Sequence, residues 1–191
     1  MNIIDFLHKA KRGPQVILPK DAGLIISETG LNPTWKVIDA GSGSGFLAMI
    51  LGNIGCKVFT YEIREDFYNI AKQNIKNSGM NNIKIYNKDI TKGIKEKKVD
   101  LITLDMKGPE RAIKNAYLAL KPGGFIVVYS MHIEEVLNVL KELRKYNFHI
   151  NILENIQREW QSFGDATRPK THLAHTGFLT FARKNKIILT Q

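Results

Sequence analysis

Three carboxylates stand at the ends of three successive predicted strands: Asp39, Glu62 and Asp89. The first belongs to Val37-Ile38-Asp39-Ala40-Gly41-Ser42-Gly43-Ser44-Gly45-Phe46, an apolar strand that runs into an alternating-glycine turn and then into a helix. Glycine has no Cβ, so the turn can take positive φ and a ligand can approach its backbone. A strand, a glycine turn and a helix N-terminus, with a carboxylate closing the next strand, form a nucleotide-type cofactor site. The dinucleotide fingerprint G-x-G-x-x-G would place its third glycine at Phe46, and no Gly-Lys-Ser/Thr follows as a P-loop requires. Asp39 would repel a pyrophosphate and suits a cationic ligand.

A cofactor with an ammonium, a sulfonium and no phosphate meets that demand, and S-adenosylmethionine is such a molecule. Its amino acid end is expected against Asp39 and the turn Gly41, Ser42, Gly43, Ser44 and Gly45. Glu62 is expected to accept hydrogen bonds from both ribose hydroxyls. Asp89 is expected at the adenine amino group, with Ile63 and Ile90, which follow two of these acids, beside the nucleoside.

The elements that would hold these residues alternate strand and helix, as in a parallel sheet covered on both faces. Strands are expected at 36–40, 57–61, 83–87, 99–104 and 124–129, and helices at 45–53, 65–78, 109–120 and 133–145. Met1 to Ala10 reads as an arm with a short helix or strand. Asp21 is a plausible N-cap for a lead-in helix ending at Gly30. His149–Ile156 and Gly177–Arg183 are strand-like with no helix between them, so they can pair antiparallel at the sheet edge. The expected fold is therefore α/β: a Rossmann-like, doubly wound, seven-stranded, mainly parallel sheet with an antiparallel C-terminal edge hairpin. One domain over 13–191 follows an arm at 1–12. Residues 157–176 read as a long functional loop.

The chain has 191 residues, with 28 Lys and Arg against 18 Asp and Glu, a formal charge of +10. That balance favours a polyanionic partner such as RNA. The single cysteine, Cys56, excludes an internal disulfide and a Cys-based zinc cluster. No apolar run is long enough to span a bilayer, and the N-terminus has no signal-peptide core, so a cytoplasmic location and no membrane partner are expected.

These residues resemble the class I S-adenosylmethionine-dependent methyltransferases. Gly13-Pro14-Gln15-Val16-Ile17 with Pro19 and Asp21, and Arg168-Pro169 with His175-Thr176-Gly177-Phe178-Leu179 and Phe181-Ala182-Arg183, are similar to the tRNA (adenine-N1) methyltransferases that modify the T-loop. Members of that family commonly carry a small β-barrel domain ahead of this segment, where this sequence has 12 residues before Gly13, so the expectation is a member without that domain. The resemblance implies tRNA as partner, a tetramer, a cofactor contact from Gln15, and an aspartate at the end of the fourth strand serving catalysis. The matching residue is Asp105, which also falls beside the cofactor. A carboxylate accepting a hydrogen bond from the exocyclic amine of adenine raises electron density at N1 and stabilises the methylated cation. The family follows this aspartate with a proline and later a tryptophan, where this chain has Met106, Lys107 and Glu110.

Acceptor contacts are expected from Ser130 and His132 after the fifth strand, and from Arg158, Arg168, His175 and Thr176 in the long loop. There, cations interleave with Trp160 and Phe163, a pattern suited to phosphate contact and base stacking. His172 and His175 lack a third ligand, and no metal is expected. Two other readings are a small-molecule methyltransferase of the cobalt-precorrin type and a non-catalytic, RNA-binding subunit of the same fold.

Overall fold

The computed structural model describes residues 2–13, 16–171 and 175–185. Seven strands form one sheet in the spatial order 83–87, 57–62, 36–40, 99–104, 120–130, 178–184 and 148–154, and a separate two-stranded sheet pairs 160–163 with 166–169. The parallel part comprises β1 (Lys36–Ala40), β2 (Lys57–Glu62), β3 (Ile83–Asn87), β4 (Val99–Leu104) and β5 (Leu120–Ser130). β9 (Phe178–Lys184) inserts antiparallel between β5 and the edge strand β6 (Phe148–Glu154). Strand order reverses between β1 and β4, which is where open α/β sheets bind ligands.

Residue parity decides which layer each side chain enters, because successive strand residues face opposite sides. Val37, Leu101 and Val127 join the core under α2 (Pro19–Thr29) and α3 (Phe46–Ile54). Ile38, Ile102, Ile126 and Val128 join the core under α5 (Ile113–Ala119) and α6 (Ile133–Leu143). All of these are at most 1% exposed, and each fully buried aliphatic side chain contributes about 1.5–3 kcal/mol. α3 is apolar nearly all round, since it lies between the sheet and its neighbours α1 (Ile3–Lys9) and α4 (Glu65–Ser78).

Local chemistry shifts several boundaries. α2 starts at Pro19 with Leu18 as its cap, so Asp21 sits inside the first turn, buried and paired with Lys20 at 2.7 Å, rather than capping. The helix expected at 109–120 is a 3₁₀ turn, Pro109–Ala112, followed by α5. β5 begins at Leu120 because Lys121-Pro122-Gly123-Gly124 stays in the sheet across a register shift. The segment 157–176 is more than a loop: β7 (Trp160–Phe163) and β8 (Ala166–Pro169) form a hairpin turning at Gly164, whose φ is +56°.

The N-terminal segment is tied to the glycine turn. Gly13 N–H donates to the Ser44 hydroxyl, and Asn74, buried on α4, bonds to both backbone groups of Lys11 and to the Ser44 carbonyl at 2.8–3.2 Å. Replacing Asn74 by Ala leaves three backbone groups without this partner, the Ser44 carbonyl buried and the two of Lys11 part-buried. The expected loss is about 2–3 kcal/mol in urea unfolding, and a loss under ~0.5 kcal/mol would show that the clamp is not structural.

Candidate functional site

A cavity of about 630 Å³ opens at the carboxyl ends of β1, β2 and β4, well within the size of small-molecule sites. A smaller one adjoins it between Val16 and Ile17 and the turn Gly41–Ser44, and Gly41, Gly43 and Asp105 line both. Gly41 has φ +81°, and a Cβ there would overlap the Asp105 carbonyl oxygen, so only glycine allows the two chain segments to meet. Asp105 N–H donates to the Ala40 carbonyl at 2.8 Å, which continues the β1–β4 pairing one step past both strands.

The turn spends its N–H groups within the protein. Gly41 and Ser42 donate to the Tyr61 carbonyl at 3.0 and 3.1 Å, and Gly43 donates to Glu62 Oε2 at 2.9 Å. A phosphate cradle needs such donors free, so this turn suits a phosphate-free ligand. Glu62 takes a second N–H, from Arg64, at 3.0 Å, and is 4% exposed.

Parallel register sets Asp39 opposite Thr60 on one side and Thr103 on the other. Both hydroxyls donate to its carboxylate, at 2.7 and 2.9 Å. Burial still pushes its pKa up to about 6, against the lowering effect of the two threonines. Asp105 faces the open cavity, but protein surrounds it closely enough that desolvation, then Asp39, Glu135 and Glu62, push it up to about 7. Asp89 is held below the usual carboxylate range by Thr91, whose hydroxyl and N–H both donate to Oδ1. The cavity floor is therefore an acid cluster that prefers a cationic guest.

S-adenosylmethionine fits these residues. Among the described residues the buried Ser42 hydroxyl has no hydrogen-bond partner; it lines the small cavity beside Asp39, and the acids Glu62, Asp89 and Asp105 line the larger one. Ile63, 64% exposed, and buried Ile90 line the same wall. Gly45 lies behind the turn, capping α3 against Ala71, and lines neither cavity. Ser44 reaches the small cavity, but its hydroxyl holds Gly13. Gln15 and His172 lie outside the described residues.

On the acceptor side the structure divides the expected residues. His132 caps α6 and lines the cavity. Ser130 does not line it: the residue is 1% exposed, folded into the end of β5. Arg158 and Arg168 stand on the β6–β7 connection and on β8, clear of the cavity lining. Thr176 is an anchor, its hydroxyl accepting from Lys20 at 2.8 Å and its carbonyl accepting from the Tyr129 hydroxyl at 2.6 Å. His175 places Nδ1 2.5 Å from Glu154 and Nε2 2.9 Å from the Met131 carbonyl. Both contacts favour the protonated ring, and the pKa is raised, first by Glu154. Tyr129, Met131 and Glu135 line the cavity without having been singled out in the sequence. Tyr129 was legible only as a sheet residue, although Gly177 marks it, since a Cβ there would lie 2.5 Å from its ring. Among the described residues no cluster of His, Cys, Asp and Glu could hold a metal ion, and no helix is long and apolar enough to cross a membrane.

Residues 7–164 match a family described as the tRNA methyltransferase complex GCD14 subunit. The chain is 34% identical to the tRNA (adenine(57)-N(1)/adenine(58)-N(1))-methyltransferase TrmI of Methanocaldococcus jannaschii, over 95% of this chain and 76% of that protein. In structure it is similar to tRNA (m1A58) methyltransferase TrmI of Aquifex aeolicus, with TM-score 0.88 and 26% identity, covering 97% of this chain and 77% of that one. It is also similar to an S-adenosylmethionine-dependent O-methyltransferase of Thermotoga maritima, with TM-score 0.87 and 31% identity, covering 97% and 72%.

The acid floor makes a pH prediction. A carboxyl whose pKa is raised in the empty site and lowered by a cation binds that cation best when ionised. S-adenosylmethionine affinity is expected to rise from pH 5 to 8, by at most about tenfold per unit for each group, and to level off above the Asp105 pKa of about 7. In calorimetric titrations Asp105→Asn should remove the upper step. A flat profile in the unsubstituted protein would show that the acids do not meet the cofactor's charge.

Proposed function

The chain belongs to the tRNA methyltransferase complex GCD14 subunit family, and from that membership we infer that it transfers a methyl group from S-adenosylmethionine to N1 of an adenine in tRNA. The observation that carries this reading is Asp105 at the mouth of β4, locked by Gly41 onto the cofactor turn and facing the cavity also walled by Tyr129 and His132. When bound, the cofactor supplies an electrophilic methyl on a sulfonium, and its transfer returns the bonding pair to sulfur as N1 gives its lone pair to carbon.

In this reading the chain's residues orient both partners. Asp39, Glu62 and Asp89 hold the cofactor from its amino acid end to its adenine. Asp105 accepts a hydrogen bond from the exocyclic amine of the acceptor, which stabilises the cation formed at N1. Its own proton must first be lost, and a neighbouring cationic cofactor favours that loss. Tyr129 and Met131 offer flat and apolar surface to the base. Most of the rate comes from holding methyl, sulfur and N1 in line. The Lys20–Thr176 and Tyr129–Thr176 bonds fix the segment that closes this wall.

The test is to incubate the protein with labelled S-adenosylmethionine and an unmodified tRNA transcript, then map N1-methyladenosine by reverse-transcription stops. Methyl-adenosine in tRNA is expected. Label absent from tRNA but present on a corrin precursor would overturn the acceptor in favour of a small molecule. Asp105→Asn should lower kcat by about 10²–10³ while cofactor still saturates, at a Kd no more than about tenfold higher. Lost cofactor binding would instead make Asp105 structural or a cofactor ligand.

The same reading places the chain in the cytoplasm as a homo-oligomer, a tetramer by family resemblance. It is supported by Trp160 and Phe163, 59% and 63% exposed on the β7–β8 hairpin, because such apolar surface on a small protein marks an interaction site. Light scattering should give a multiple of 21.7 kDa. A single subunit's mass at micromolar concentration would overturn it.

A further inference from the structure

A second cavity, of about 560 Å³, opens beside the first and shares Tyr61, Ile63, Lys88 and Asp89 with it. Tyr61 and Tyr86 form one wall, their rings 5.0 Å apart, and Lys92 and Lys95 join Lys88 around the opening. Of the two acids here, Glu96 is turned inward and Asp89 lines both cavities. Glu96 accepts from both tyrosine hydroxyls, and Asp89 is taken up by Thr91 through Oδ1. Lys88, Lys92 and Lys95 are exposed, and none of them enters an ion pair among the described residues. The cationic field extends past the cleft, because residues 84–98 carry lysines at 84, 88, 92, 95, 97 and 98 against only Asp89 and Glu96.

We propose that this side cleft holds a stretch of the substrate RNA strand away from the acceptor base, with phosphodiesters on Lys88, Lys92 and Lys95 and a nucleoside against Ile63 and the Tyr86 ring. Three features carry the assignment. Unpaired lysines at a concave site attract phosphate, and an aromatic wall with an exposed isoleucine suits a base or ribose. A free nucleotide would present the same chemistry, but the lysines continue beyond one nucleotide's reach, which fits a polymer. The cleft lies on the Asp89 wall, so a strand seated there would run past the cofactor's nucleoside end while the acceptor enters beside Asp105 and Tyr129. The assignment rests on the reading of tRNA as acceptor.

The experiment uses the full chain with Lys92→Gln and Lys95→Gln together, two exposed residues that line only the side cleft. Methylation of a tRNA transcript is measured against tRNA concentration at several salt concentrations, with S-adenosylmethionine affinity and kcat at saturating tRNA as controls of folding. The double variant is expected to raise the KM for tRNA about tenfold and to flatten the log–log salt slope by about two units, with cofactor Kd and kcat unchanged. An unchanged KM and salt slope would overturn the proposal, even though the unsubstituted protein methylates tRNA. If that protein does not methylate tRNA at all, the acceptor reading fails instead. A third arm titrates AMP and ATP: substitutions that weaken nucleotide binding but leave the tRNA parameters alone would make the cleft a free-nucleotide site and overturn the RNA assignment.

Discussion

The contact on which the site depends is backbone against backbone: Gly41 passes so close to the Asp105 carbonyl that no side chain fits between them. The hydrogen bond from Asp105 N–H to the Ala40 carbonyl pulls the segments together, and positive φ at Gly41 lets the turn bend away immediately afterwards. A residue assigned to the acceptor is thereby fixed relative to the turn assigned to the cofactor by main-chain geometry, not by flexible side chains. Methyl transfer is sensitive to alignment at the ångström scale, and two adjacent parallel strands ending in register supply that alignment. The Ser44–Gly13 and Asn74–Lys11 bonds extend the same rigidity to the N-terminal segment.

Register also sets the electrostatics. Asp39 falls between Thr60 and Thr103 because β2 and β4 flank β1 without stagger at that level. Two hydroxyl donors are not enough to offset burial, and the pKa stays high. Asp105 is raised by the same burial and by Asp39 in turn. Such mutual repulsion is a cost in the empty protein that a cation relieves. The internal use of the Gly41, Ser42 and Gly43 N–H groups removes the alternative of an anion.

Much of this was legible because it rests on local patterns. Apolar runs of five or six residues ending in Asp39, Glu62 or Leu104 give the parallel strands and the edge at which their acids gather, and the glycine spacing separates the turn from a dinucleotide site. What could not be read depends on partners distant in sequence. Asp21 has the composition of a cap, yet Pro19 starts the helix earlier and Lys20 buries Asp21 in a pair that reaches Asn155 and Thr176. Ser130 ends its strand on the right edge but turns into the sheet. Tyr129, one residue before it, takes the cavity position instead, because alternation puts neighbours on opposite faces. The β7–β8 hairpin was not legible because its strands are only four residues long and its two aromatics, Trp160 and Phe163, stand three apart, off the two-residue period of a strand.

The chain carries a net charge of +10, yet Glu62, Asp89, Asp105 and Glu135 line one cavity and Asp39 the small one adjoining it. The two signs do different work at different depths. Exposed lysines act through water and are screened beyond roughly 8 Å at physiological salt, so they can attract a polyanion to the surface without cancelling the acids, of which Asp39 and Glu62 are buried. Those acids repel phosphate at close range as strongly as they attract a cation. Arg64, Lys88, Lys107 and Arg111 line the same cavity as the acids, so in the proposed reading a nucleic-acid backbone stays at those cations while a neutral part of it meets the acids. A base turned out of its stack is such a part. In the proposed reading Asp105 then meets it with an acceptor, which would pair with the amino group of adenine and would face the carbonyl oxygen of guanine as one acceptor against another. Charge layering and hydrogen-bond polarity thus favour the same acceptor, an extruded adenine.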